Sequence, residues 1–413
     1  MTSAEPPNPW FSTINFNEAF FASNTTTITL AYANATYLKR VGVATSVAST
    51  TTFNGDVGIT GTLSLSNAIA LSTTTGTVVN ISDAGYTSII KSDAYNSALL
   101  TGGQLAIGSL AGTTVQGVNA VAIGTNAGNN TQQTFCVAIG FGAGQNNQTA
   151  NAVAIGINAG QTTQGQGSVA IGNIAGNSTQ GINSVAIGRS AGNSGQGDSS
   201  VAIGVNAGTG TQRANCVAIG NNAGNSVQAI NSIAIGVNAG STSQATNSVA
   251  IGNLAGNNTQ TASCVAIGLS AGQTTQATQA TAVGAGAGTT NQATNCVAVG
   301  VNAGNNQQKS GAVAIGSSAG QTTQGISAVA IGVSAGTTNQ GANAIAIGNL
   351  ASNTSQTAGS ICINASGVST IANQAGCFIR PIRAGVAGST FVPALPANVI
   401  YYDTTTFELL RTI

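Results

Sequence analysis

Apolar residues in this chain come in a small packet, Val-Ala-Ile closed by Gly, and the packet returns at a fixed interval. The leading residue falls at Leu105, Val121, Val137, Val153, Val169, Val185, Val201, Val217, Ile233, Val249, Val265, Thr281, Val297, Val313, Val329 and Ile345, a step of sixteen each time. A degenerate further copy starts at Ile361. Within a packet the first and third residues lie two apart, so they share one face of a short strand while the alanine points the other way. That pattern assigns Val121 and Ile123, Val153 and Ile155, Val185 and Ile187, and Val249 and Ile251 to the core of each coil. Gly124 and its equivalents up to Gly348 end the strand, and the next residues, as in Asn126-Ala127-Gly128, read as a turn.

A more polar half follows, and one position in it never varies. Glutamine stands at Gln116, Gln132, Gln148, Gln164, Gln180, Gln196, Gln212, Gln228, Gln244, Gln260, Gln276, Gln292, Gln308, Gln324, Gln340 and Gln356. A fixed short period without insertions marks a solenoid in which each repeat is one coil. A helical repeat needs a longer unit and tolerates glycine poorly. The chain is therefore expected to be all-β, a parallel β-solenoid of about sixteen coils. Coils about 4.8 Å apart give a roll roughly 77 Å long and bring identical side chains into columns. In such a column each glutamine can bond its amide to the glutamines above and below, which makes it a structural ladder. Two large side chains are a thin core for sixteen ordered residues, so several rolls are expected to pack side by side.

Composition removes most chemistry. Charged residues make up 4% of the chain, the net charge is +1 and histidine is absent, so no field gathers nucleic acid. No apolar run is long enough for a membrane span, and the start "MTSAEPPNPWFSTINFNEAF" lacks the basic and apolar regions of a Sec-type signal peptide. Of the acids Glu5, Glu18, Asp56, Asp83, Asp93, Asp198, Asp403 and Glu408, only Asp198 lies within the repeats. Paired carboxylates for glycoside cleavage and aspartate rows for calcium are thus missing there, and without histidine neither a Ser-His pair nor an imidazole zinc site can form. No enzyme activity, cofactor or metal is expected. Cys136, Cys216, Cys264 and Cys296 fill the slot before the valine. Their closest spacing, two coils or about 9.6 Å, exceeds the reach of a disulfide. They read as small residues in a tight slot, with bridges between equivalent cysteines of different chains as the alternative.

The "NSVAIG" of 183–188 and 247–252 and the "NSIAIG" of 231–236 resemble the head repeats of trimeric autotransporter adhesins. That resemblance implies a left-handed parallel β-roll and a homotrimer. Upstream, "YLKRVGVATSVASTTTFNGDVGITGTL" looks like the stalk segments of tail-fibre and virion-fibre proteins. The last stretch, from "AGCFIRPIR" onward, is similar to the segment before a self-cleaving chaperone in phage and large-DNA-virus fibres. Residues 1–40, with Trp10, Phe11, Phe16, Phe20, Phe21, Tyr32 and Tyr37, read as an attachment segment. Residues 41–104 read as a β-rich stalk, 105–364 as the roll and 365–413 as a small β-containing tip. The implied function is a virion or other extracellular fibre, adhesin-like, held at a capsid or particle by its N-terminus and meeting a cell-surface receptor or glycan. An ice-binding solenoid, for which Thr162, Thr163, Thr274, Thr275, Thr322 and Thr323 are suggestive, and a purely structural spacer are the alternatives.

Overall fold

The computed structural model describes residues 78–83, 86–91, 103–381, 400–402 and 409–411. The chain divides into Met1–Leu71 and Ser72–Ile413, and every described residue belongs to the second unit. The attachment segment assigned to 1–40 and most of the stalk assigned to 41–104 lie outside the described residues.

The fold is a β-solenoid of sixteen-residue coils, with no helix among the described residues. Each Val-Ala-Ile packet is a three-residue strand, and successive packets pair in parallel and in register, as Val185 with Val201, Ala186 with Ala202 and Ile187 with Ile203. The ladder runs from Leu105–Ile107 through Ile361–Asn364 to a last strand, Cys377–Arg380. At the other end the antiparallel hairpin Val78–Asp83 and Tyr86–Lys91 joins it, Ile90 opposite Ile107. The whole forms one 20-stranded sheet. A second, 10-stranded sheet is built from the glutamine segments between Thr163–Gln164 and Asn306–Gln308. Single glutamine bridges extend it to Gln116 at one end and Gln356 at the other.

Corners between the sheets are made by residues that accept left-handed backbone. Asn126 (φ 59°), Asn206 (57°) and Asn222 (55°) occupy the first corner, and Asn183 (54°), Asn215 (60°) and Asn231 (61°) the second. Asparagine is among the few L residues that visit this region readily. The glycine closing each packet is required twice over. Gly236 has φ 127°, and a Cβ there would stand 2.7 Å from the carbonyl oxygen of Gly252 in the next coil.

The interior reverses the core assignment made from the pattern. Val121, Ile123, Val153, Ile155, Val185, Ile187, Val249 and Ile251 are only half-buried and face outward. The alanine between each pair is fully buried, as is the alanine of the turn, so Ala122 with Ala127 and Ala186 with Ala191 line the roll. Alternation separates the two faces of a strand without saying which is inside. Space decides it: the largest fully buried side chains are the glutamines reaching across from the opposite sheet. Gly240 leaves room for that amide, since a Cβ there would stand 2.8 Å from Gln244 Oε1 and 3.3 Å from Ala234 Cβ. Only a methyl group fits opposite.

Candidate functional site: the outer faces of the roll

The buried glutamines form a directional chain. Nε2 of Gln244 donates to the carbonyl of Ile233 at 2.7 Å, within its own coil, and to Oε1 of Gln260 at 3.1 Å in the next. The same donation runs unbroken from Gln132 to Gln196 and again from Gln212 to Gln356. Within each run the donation points one way, so each bond polarises the next. Gln116 and Gln196 instead give Nε2 only to carbonyls of their own coil, Leu105 and Ala120 for the first and Val185 and Ser200 for the second. Oε1 of Gln132 and of Gln212 is consequently buried without a partner.

A second column, passed over in the sequence reading, stands three residues before the glutamine. Asn177 Nδ2 donates to Asn158 O at 3.0 Å, Asn225 Nδ2 to Asn206 O at 3.1 Å and Asn257 Nδ2 to Asn238 O at 2.9 Å, each reaching one coil back to tie down the corner. Thr209 does the same through its hydroxyl, to Ser190 O at 3.0 Å. The signal was visible as a slot confined to Asn, Gln, Thr and Ser, all side-chain donors.

In the slot before the packet, some serines bond within their own corner, as Ser168 to Gly165 O and Ser184 to Gly181 O, while others make the same contact to the next coil as the cysteines. Ser200 Oγ donates to Arg213 O and Ser248 Oγ to Thr261 O, both at 2.7 Å. Cys136, Cys216, Cys264 and Cys296 direct their thiols to the matching carbonyls of Thr149, Ala229, Ala277 and Lys309. All four are free and fully buried, and burial pushes their thiols above the ordinary range. Their thiols are spent on carbonyls of their own chain, with no exposure to the outside of the roll. Cys362 follows the alanine column and is pushed up to about 11 by burial. Phe378 comes next in that column and closes the interior with its ring.

What remains for function is the outside. One face carries the valine and isoleucine columns, edged by a further column that includes Phe141 (53% exposed), Leu269 (56%) and Val333 (54%). The opposite face is polar and uneven: its outward column runs Gly195, Thr211, Val227, Ser243, Thr259, so the threonines do not make an unbroken row. No cluster of metal-ligating side chains occurs among the described residues, and no helix there is long and apolar enough to cross a membrane. No family model, curated protein or solved structure matches the chain.

Proposed function

We propose that this protein is a structural fibre, adhesin-like and carried on a virion or other extracellular surface, whose rolls assemble as a homotrimer. The observation that carries the reading is the apolar face. The columns of Leu105, Val121 to Ile345 and Ile107 to Ile347 lie half-exposed along the whole roll while the interior is already filled by alanine and glutamine. A strip about 77 Å long and roughly 10 Å wide offers on the order of 800 Å², larger than the apolar patches soluble monomers leave in water and close to one partner's share of a stable interface. Copies of the same chain, flat and periodic in the same way, are its natural complement. The "NSVAIG" resemblance supports three copies.

In this reading the roll is a stiff spacer. The 1–40 segment serves as the attachment to a capsid or particle, and the receptor or glycan contacts fall on the variable polar positions or the tip. Several fibres per particle raise avidity without a strong single site. Light scattering on the full chain tests it: the expected mass is that of three 40.1 kDa chains, and a monomer at micromolar concentration overturns the assembly.

A further inference from the structure

A periodic face has a weakness: sliding one roll past another by a single coil, about 4.8 Å, replaces every valine and isoleucine contact with an equivalent one. Register needs a mark that occurs once. Among residues 105–364 the charged side chains are Arg189, Asp198, Arg213 and Lys309. Arg189 and Asp198 belong to the same coil and are exposed. Arg189 follows Gly188 at the end of Val185–Ile187, on the edge column that holds Phe141, Leu269 and Val333 in other coils. Asp198 sits at the opposite corner, in the column that holds Ile182, Ile230 and Ile326. Neither column carries a charge in any other coil.

Within one chain the two cannot meet, because the width of the strand and its flanks, on the order of 15 Å, separates them. Asp198 uses Oδ1 to accept the backbone N–H of Ile182 at 2.8 Å, and forms no ion pair with Arg213 of the next coil. Building on the homotrimer proposed above, we infer that Arg189 of each chain pairs with Asp198 of the next around the three-fold axis, a single charged belt that fixes the register of the rolls. In a parallel trimer with all copies level, rotation brings the Arg189 edge of one apolar face to the Asp198 corner of its neighbour, within one coil of the same height. The contact is heterologous and closes after three steps. A slip by one coil would set Arg189 against Ile182 or Ala214 and Asp198 against Asn173 or Val205, leaving both charges unpaired, which resists sliding as a lone polar group does in a coiled-coil seam.

The test uses the full chain and reads mass by light scattering against dilution. Arg189→Asp and Asp198→Arg, each alone, place like charges together and should weaken assembly at least about tenfold. The double exchange should return it to within about threefold of the original chain, and the original should weaken as salt rises. Circular dichroism of the single variants is expected to match the unaltered protein, since both side chains are exposed. The pairing is overturned if neither single variant dissociates more readily, or if Arg213→Asp, and not Arg189→Asp, rescues Asp198→Arg, which would mark a bond within one chain. A trimer that survives all variants sinks the belt alone, whereas a monomeric unaltered chain sinks the assembly itself.

Discussion

A glutamine is an awkward residue to bury, and this roll buries one in every coil. It succeeds because both amide protons are spent, one on a backbone carbonyl and one on the next glutamine, as for Gln244 with Ile233 O and Gln260 Oε1. Gln244→Leu should therefore cost much more than its change in polarity suggests. It strands the buried Oε1 of Gln260, at about 1–3 kcal/mol, and takes one acceptor from Gln228 Nε2, which keeps the carbonyls of Val217 and Ser232. Urea unfolding is expected to show that loss, with a smaller one for the same substitution at Gln132, whose Oε1 already lacks a partner. The glutamine column was legible in the sequence because an invariant residue in a drifting background must be held by something periodic. The valine and isoleucine columns were legible only up to a choice of face. Large aliphatic residues ordinarily point inward, and the reason they do not here is the volume of the glutamine, a side chain that hydrophobicity places outside.

At the scale of the element, the strands of the regular repeats, three residues or fewer, are held by the turns as much as by pairing. The glycine closing each packet is fixed by backbone and by space together. Gly236→Ala is expected to destabilise the roll by at least about 2 kcal/mol, because the left-handed side of φ space and a 2.7 Å approach to Gly252 O both oppose a methyl group. Gly195→Thr is the counter-case. That glycine lies in the strand Gly195–Gln196 with nothing near its missing Cβ, and threonine fills the same column at Thr211, so a gain of about 0.5–1 kcal/mol is expected. Thermal melting of the two variants side by side checks both signs. The sixteen-residue period and the Asn-Ala-Gly turn of the first corner were plain from the pattern alone, whereas the second corner, at Asn183, Asn215 and Asn231, was not. The continuation to Cys377–Arg380 was not, because the coils after Ile361 lose the Val-Ala-Ile packet, and only parallel pairing with Ile361–Asn364 reveals the last strand.

For the whole molecule, the inside and the outside of the roll make separate demands on sequence, and substitution can pull them apart. Ala234 and Ile235 are neighbours in one strand, the first fully buried and the second half-exposed on the apolar face. Inside, Ala234→Val adds two methyl groups where the facing backbone and Gln244 leave none of the space, and overpacking of that kind costs about 1–3 kcal/mol. Outside, Ile235→Lys together with Ile251→Lys leaves the interior untouched, since a lysine can lay its stem along the column and keep its ammonium in water. Within an assembly the same two ammonium groups would be shut between apolar faces, a far larger penalty. The double lysine variant is thus expected to keep the circular dichroism and melting profile of a folded roll while its mass falls to that of a single chain. The alanine variant should do the reverse, losing stability while any folded fraction still associates. If the lysines leave the mass unchanged, the valine and isoleucine columns are not where the copies meet, and the half-exposed face must be covered by something other than a second roll.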